Sequence, residues 1–324
     1  MTRPAESAGR WLERRGNAAP RGMIVIPRKR RNRIPLTGLL HTFLFLLAAM
    51  APGAQAATSA PVRLALGEDV PFITTPDNVT AAMLDLAAVR AGDHVIDLGS
   101  GDGRIVIAAA RRGATGLGVE IDPRLVAESV ANARRAGVSS RATFLELDLF
   151  RTDLSPATVV TMYLLPEVNL QLRPAILALR PGTRIVSHDW DMGDWQPDRS
   201  VTLAVPGKTV GLAKSSRAHL WVVPARVEAL WCGARGGRRA ALRLRQAHQF
   251  VEGDLEIDGG PAIAMTGRID GASLAIGRAG ASPAGRLQLS WSEGGLRTAR
   301  ASGSFAGEKD FEWRRAKGAT CAMP

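Results

Sequence analysis

The chain has 324 residues, enough for two domains, and its formal charge is +12. Residues 1–33 contain ten Arg or Lys side chains and two Glu, so most of the positive charge lies near the N-terminus. Residues 57–324 keep a net charge of only +4, which gives no support to a nucleic-acid partner.

The first 56 residues have the three parts of a secretory signal peptide. A basic run (Arg28–Arg33) precedes a largely apolar run (Ile34–Met50), and small side chains follow at Ala54–Ala56. The apolar core is shorter than the ~20 residues of a membrane span. We therefore expect cleavage after residue 56 and export to the periplasm, with an uncleaved anchor at residues 34–50 as the alternative. Met23 is a more natural start for this signal than the first residue.

Residues 57–224 alternate strands and helices, beginning with a helix that Thr75 caps and Pro76 opens. Strands are predicted at His94–Ile96, Gly116–Val119, Thr143–Leu147, Val159–Leu165 and Thr183–Ser187, helices at Pro123–Ala136 and Leu170–Leu179, and a closing antiparallel pair at Val201–Val205 and His219–Val223. This order predicts an α/β domain with a Rossmann-like sheet of seven strands.

The first βαβ unit carries a glycine-rich turn. Its turn residues are Asp97, Gly99, Ser100, Gly101 and Gly103, all of which we predict to bind a cofactor. A dinucleotide fingerprint places its third glycine one residue later, where this chain has Arg104. A carboxylate before the turn is unsuited to pyrophosphate, but it suits a cationic ligand. The spacing therefore favours S-adenosylmethionine, and the turn resembles that of the class I methyltransferases.

Two further carboxylates follow the next strands. Glu120 ends the second strand, where it is predicted to accept from both ribose hydroxyls, and Asp122 is predicted to cap the following helix. Asp148 follows the third strand, where it could accept from the adenine amino group or simply cap a turn.

The methyl-acceptor side is predicted at the ends of the fourth and fifth strands. Tyr163 could orient an amine or be a buried structural residue. Ser187–Trp195 combines acids and aromatics, which suits a cationic substrate. His188 or Asp189 is the candidate general base, although a single histidine is more often structural.

Residues 225–324 change character. Short alternating runs separated by glycines predict a small antiparallel β module, a barrel or a curled sheet. Cys232 and Cys321 both lie in this region, where they form either a disulfide or two unrelated thiols. Nothing in their spacing indicates a metal site.

Several motifs together resemble one methyltransferase family. They are Pro71–Pro76, Asp97–Val106, Gly118–Pro123, Asp148–Phe150, Tyr163–Pro166 and Pro181–Ser187. The block is similar to the mitochondrial protein-lysine methyltransferases of the ATP synthase c-subunit and the adenine nucleotide translocase, and to their bacterial relatives. The resemblance implies dependence on S-adenosylmethionine and a role for Thr75 and Pro76 in closing the site over the cofactor.

The expectation is therefore an exported, S-adenosylmethionine-dependent protein-lysine N-methyltransferase. Alternatives are a small-molecule N- or O-methyltransferase, or a non-catalytic exported binding protein on the same fold. The expected partner is a protein lysine or a small-molecule acceptor, with no nucleic acid. Contact with a membrane is expected only through the signal segment. Export raises a question of cofactor supply, since S-adenosylmethionine is made in the cytoplasm.

Overall fold

The computed structural model describes residues 73–209, 213–280 and 285–321. The predicted signal peptide, with its cleavage site and possible anchor, lies outside these residues, as do the first two residues of the Pro71–Pro76 motif. No helix in the described ranges has both the length and the apolar character needed to cross a membrane.

The first part of the described chain is an α/β sheet domain. Its elements in chain order are α1 (Asp77–Leu86), β1 (His94–Leu98), α2 (Arg104–Arg111), β2 (Thr115–Glu120), α3 (Pro123–Arg135), β3 (Ala142–Glu146), β4 (Val159–Met162), α4 (Pro166–Ile176), β5 (Arg184–His188), β6 (Arg199–Ala204) and β7 (Ser215–Val222). The sheet order is β3-β2-β1-β4-β5-β7-β6. Neighbouring strands among β1–β5 are parallel, and β7 runs antiparallel to both β5 and β6.

This arrangement confirms the predicted Rossmann-like sheet of seven strands. All four residues of β4 are buried, as are the last four of β1 and of β5, which explains their nearly continuous apolar sequence. The strand order reverses between β1 and β4, and ligands of such sheets bind in the crevice outside the strand carboxyl ends at that point. The topology therefore directs attention to the residues that follow β1, β2, β4 and β5.

Two predicted helix starts were wrong. Pro76 occupies the cap position of α1, with extended backbone and no side-chain cap, so the helix begins one residue later than predicted. The Thr75 hydroxyl does not cap the helix because it contacts His188.

The second error concerns the region after β4. That strand ends at Met162, and α4 already begins at Pro166, four residues before the predicted start. A proline is well tolerated there, since the first N–H of a helix has no partner within the helix. The apolar residues between Tyr163 and Leu165 therefore form a connection, although their composition suggested the end of a strand.

The second part is a closed antiparallel barrel. Its strands are β8 (Ala229–Arg235), β9 (Arg238–Ala247), β10 (Phe250–Ile257), β11 (Ile263–Asp270), β12 (Ser273–Arg278), β13 (Gly285–Ser292), β14 (Gly295–Gly303) and β15 (Glu312–Arg315). Each strand pairs with the next, and β15 pairs with β8 to close the ring. Apolar side chains at alternate positions fill the interior, with Trp313 and Phe305 among the fully buried. Cys232 and Cys321 form a disulfide, so the first of the two alternatives for these thiols is correct.

Candidate active site

The turn after β1 is a tight loop of glycines in left-handed backbone conformation. Gly99, Gly101 and Gly103 have φ values of 72°, 52° and 81°. The amides of Gly99 and Ser100 both donate to the carbonyl of Val119 at 2.9 Å, which fastens the turn to β2. At Gly103 a Cβ atom would lie 2.7 Å from the Phe144 ring, so only glycine allows α2 to start this close to β3. The turn thus leaves its backbone open to a ligand at Gly99, which is exposed, whereas Ser100, Gly101 and Gly103 are buried.

Asp97 is the most unusual titratable group of the site. Its side chain is 2% exposed at the end of β1, and it accepts a hydrogen bond from Thr161 Oγ1 at 2.6 Å. Burial raises the pKa of Asp97 to about 8, and the nearby carboxylates of Glu120 and Asp102 add to the increase. A buried carboxyl group next to two other acids is poorly suited to an anionic ligand. The same arrangement fits the ammonium and sulfonium of S-adenosylmethionine, which would restore the ionised form of Asp97.

Glu120 supports the turn directly. Its Oε2 accepts from the Gly101 amide at 3.0 Å, and its Oε1 accepts from the amides of Ile121 and Asp122 at 2.8 and 3.1 Å. The carboxylate therefore ties the end of β2 to the glycine turn. Its predicted contact with the ribose hydroxyls stays a prediction, and it would use the lone pairs that these three bonds leave available.

The remaining polar residues near the turn have local roles. Asp122 caps α3 through the Arg124 amide, as predicted. Asp148 caps a short 3₁₀ turn by accepting from the Phe150 amide at 2.9 Å, and its predicted contact with the adenine amino group stays a prediction. The Ser100 hydroxyl is buried without a hydrogen-bond partner among the described residues, and a Cβ built at Gly118 would lie 2.6 Å from it. Ser100 is therefore packed against β2, and its predicted contact with the cofactor stays untested.

Arg104 connects the glycine turn to the segment before α1. Its guanidinium binds Asp102 through several hydrogen bonds and donates to the carbonyl of Thr75 at 2.8 Å. Thr75, which is 5% exposed, places its hydroxyl 3.2 Å from His188 Nδ1. Thr75 is thus held between the turn after β1 and the end of β5, and Pro76 follows it directly. The role in closing the site over the cofactor, which the resemblance implies for both residues, stays a prediction.

The three predicted catalytic residues lie together at the ends of β4 and β5. The rings of Tyr163 and His188 are in contact, with centroids 3.9 Å apart and planes inclined at 32°, and His188 Nε2 lies 3.6 Å from Asp189 Oδ2. His188 is 1% exposed, and burial lowers its pKa to about 4. Burial raises the pKa of Tyr163, and the charge of Asp189 acts in the same direction. At neutral pH the histidine and the tyrosine are therefore both uncharged.

A lysine that the sequence did not single out completes this cluster. Lys208, on the connection between β6 and β7, donates from Nζ to Asp189 Oδ2 at 2.6 Å and to the Ser215 carbonyl at 2.8 Å. The Arg217 amide donates to the other oxygen of Asp189 at 2.8 Å. Asp189, which has a φ of 61°, is therefore held as an ionised structural partner. The sequence did not reveal this ion pair because Lys208 and Asp189 are 19 residues apart along the chain.

Large apolar side chains surround the carboxyl ends of the strands. Ile121, Phe150, Leu165 and Trp190 are 68%, 43%, 39% and 43% exposed, and they follow β2, β3, β4 and β5 respectively. Exposed apolar residues that gather on one side of a protein mark a binding surface more often than scattered ones do. The described site therefore combines buried acids with an apolar rim.

Comparisons with known proteins identify a methyltransferase domain in this part of the chain. The ANTKMT methyltransferase domain model matches residues 97–199. A protein-lysine N-methyltransferase of Saccharolobus islandicus is 44% identical over 131 residues, which are 40% of this chain and 81% of that protein. The lysine N-methyltransferase of the ATP synthase c-subunit from Homo sapiens is 34% identical over 40% of this chain and 55% of its own length, so the chain spans about half of that relative.

Solved structures include an RNA methyltransferase from Salinibacter ruber in complex with S-adenosyl-L-homocysteine. It is 49% identical, covers 48% of this chain and 96% of its own, and has a TM-score of 0.43. The cofactor of the domain is S-adenosyl-L-methionine, in keeping with the carboxylates at the glycine turn. The chain belongs to the methyltransferase family that the ANTKMT domain model describes and that includes these protein-lysine N-methyltransferases.

Proposed function

We propose that the protein transfers the methyl group of S-adenosyl-L-methionine to a lysine side chain of another protein. The observation that carries this proposal is the 44% identity to a protein-lysine N-methyltransferase across most of that relative's length. The methyltransferase family model matches residues 97–199, which lie within the sheet domain that holds the buried acids of the site. The bound cofactor supplies an activated methyl group, and the residues of this chain supply binding and orientation.

On the cofactor side, Asp97 and the glycine turn would hold the charged amino-acid end. The ionised form of Asp97 gains a favourable charge interaction on binding a cation, and Thr161 keeps the carboxyl group oriented. Glu120 fixes the Gly101 amide, so the turn is already in place before a ligand arrives. Such preorganisation lowers the entropic cost of binding.

On the acceptor side, the described residues favour orientation of an amine over removal of its proton. His188 is a weak base because burial lowers its pKa to about 4, and both oxygens of Asp189 are engaged by Lys208 and Arg217. The substrate ammonium would therefore lose its proton to water before it reaches the site. Holding the free amine in line with the methyl group is the larger part of catalysis in this scheme.

The apolar rim supports a protein acceptor over a small molecule. Four exposed apolar side chains flank the carboxyl ends of separate strands, a wider surface than the side chain of a single amine needs. A polypeptide could cover Phe150, Leu165 and Trp190 together while its lysine enters between them.

Methyl-transfer labelling tests the proposal. The full-length protein is incubated with methyl-labelled S-adenosyl-L-methionine and an envelope protein extract, and the labelled residue is identified by mass spectrometry. The expected result is label on lysine side chains of protein, lost in the Asp97→Asn variant. Label found only on small molecules, or no transfer by the wild-type protein, would refute the assignment.

We propose in addition that the protein is exported. The supports are the signal-peptide pattern of the first 56 residues and the disulfide between Cys232 and Cys321, since disulfides persist mainly in oxidising compartments. Cell fractionation is expected to give a periplasmic protein that begins after residue 56. Recovery from the cytoplasm with both cysteines reduced would contradict export.

A further inference from the structure

The segment 189–198 connects the active site to the barrel. It begins beside His188 at the end of β5, carries the exposed Trp190, and runs to Arg199 at the start of β6. The sheet domain and the barrel belong to one compact unit of the chain, so contacts between them are part of the fold. The stability of this segment determines where the Trp190 side of the acceptor site lies.

The first half of the segment is held by α4. Asn169 is fully buried, and its Nδ2 donates to the carbonyl of Asp191 at 3.2 Å. Arg173 donates to the carbonyl of Met192 at 2.8 Å. These contacts come from the sheet domain itself and would remain without the barrel.

The second half is held by the sheet domain and by the barrel together. From the sheet domain, Trp221 Nε1 donates to the carbonyl of Trp195 at 2.7 Å, and Arg173 forms an ion pair with Asp194. Gln249, between β9 and β10, donates from Nε2 to the carbonyl of Gln196 at 2.7 Å. The ring of its neighbour His248 stacks on Trp195, with centroids 5.8 Å apart and planes inclined at 22°. Arg268 of β11 forms an ion pair with Asp198.

Two more contacts hold the second half of the segment in place. The other oxygen of Asp198 accepts from the Val222 amide at 2.6 Å, so the residue that Arg268 binds is itself fixed to β7. His248 Nε2 lies 3.5 Å from Asp194 Oδ2, within the same segment. The barrel therefore contacts four residues of the segment, Asp194 through Gln196 and Asp198.

Packing alone does not explain why a polar side chain occupies position 249. Its side chain is completely buried, and its Oε1 has no hydrogen-bond partner among the described residues. A buried polar oxygen without a partner destabilises the folded state, so an apolar side chain of the same size would suit a purely structural position better. The only hydrogen bond of its side-chain amide within the described residues is the one to the Gln196 carbonyl.

We propose that the barrel helps to position the acceptor side of the active site. In this proposal Gln249 is a positioning residue that fixes the segment 189–198. The inference rests on the proposed function for the meaning of the acceptor side. The barrel would then set the position of Trp190 without touching the substrate. The cofactor side, built from β1 and β2, would be independent of it.

Hydrogen exchange followed by mass spectrometry tests this proposal on the full-length protein. Gln249→Leu keeps the volume but removes the amide, and His248→Ala is a second variant at a partly exposed position. Gln288→Leu is the matched control, because Gln288 is an exposed barrel residue whose side-chain hydrogen bond goes only to Ser273. We expect exchange in 189–198 to become roughly fivefold faster in Gln249→Leu, the factor that corresponds to one hydrogen bond of about 1 kcal/mol.

The same variants separate positioning from general damage. S-adenosyl-L-homocysteine should bind Gln249→Leu with wild-type affinity, and exchange of residues 97–103 should not change. Transfer of label to the envelope extract should fall by a similar factor, through a higher KM for the acceptor. Exchange in 189–198 equal to that of Gln288→Leu, or an equal acceleration in 97–103, would overturn the proposal. If the wild-type protein transfers no label, the proposed function fails while the exchange data still decide the role of Gln249.

Discussion

The Asp97→Asn substitution is expected to stabilise the ligand-free protein and to abolish cofactor binding. Asparagine has nearly the same shape as aspartate, and its side-chain oxygen can still accept the hydrogen bond from Thr161. What it removes is an acid that is 2% exposed and lies near the carboxylates of Glu120 and Asp102. The site would thus lose its charge interaction with a cationic ligand but keep its packing.

The sign of the effect follows from the pKa of Asp97. The folded protein holds this proton up to about pH 8, whereas the unfolded chain releases it near its ordinary value of 3.8. Rising pH therefore favours the unfolded state across this window, and the wild-type protein loses stability between pH 4 and pH 8. The shift corresponds to an upper limit of about 6 kcal/mol, so a gain of a few kcal/mol is expected for Asp97→Asn at pH 8.

Urea unfolding at a series of pH values measures this difference, and calorimetry with S-adenosyl-L-homocysteine measures binding. Asp270→Asn serves as the control, because Asp270 is an exposed carboxylate at the end of β11. Its free energy of unfolding should follow that of the wild type at every pH. The reasoning fails if Asp97→Asn is less stable than the wild type at pH 8, or if it binds the ligand unchanged.

Three further predictions concern the turn, the histidine and the disulfide. Gly103→Ala should lower the free energy of unfolding by about 3 kcal/mol, because the new Cβ would meet the Phe144 ring. Gly137 also has a left-handed backbone but lies in open space, so Gly137→Ala should lower it by only about 1 kcal/mol. Urea unfolding measures both variants. Since the pKa of His188 is depressed, stability should decrease as pH falls below about 6.5, and NMR should show this ring uncharged at neutral pH; a ring that titrates near 6.5 would contradict its burial. Cys232→Ser should cost about 2–5 kcal/mol in unfolding monitored at equilibrium, and no change would show that the barrel does not need its cross-link.

The parts of the fold that local chemistry determines were predictable. The glycines of the turn, the acid that follows β2 and the apolar strands all occur in short stretches whose spacing has one physical explanation. The starts of α1, at Asp77 after Pro76, and of α4, at Pro166, were misplaced because proline is compatible with both the cap and the first turn of a helix. In each case the error was a few residues and did not alter the topology.

Contacts between distant residues account for what the sequence could not reveal. Asp189 was a candidate base until its pairing with Lys208 engaged its carboxylate. Gln249 lies in a turn of ordinary composition, and nothing in that turn indicates the bond to Gln196. Closure of the barrel depends on the pairing of β15 with β8, two strands whose own residues do not specify each other.

The closure of the barrel also determines which part of the protein can fold first during synthesis. All residues of the sheet domain are synthesised before β8, so that domain can fold while the chain is still growing. The ring, in contrast, cannot close until β15 has been made, because β15 is the neighbour that β8 requires. A prematurely terminated chain would have a cofactor site but an open sheet in place of the ring, with two unpaired edges that invite aggregation and degradation. The ring can therefore close only in a chain whose synthesis has passed β15.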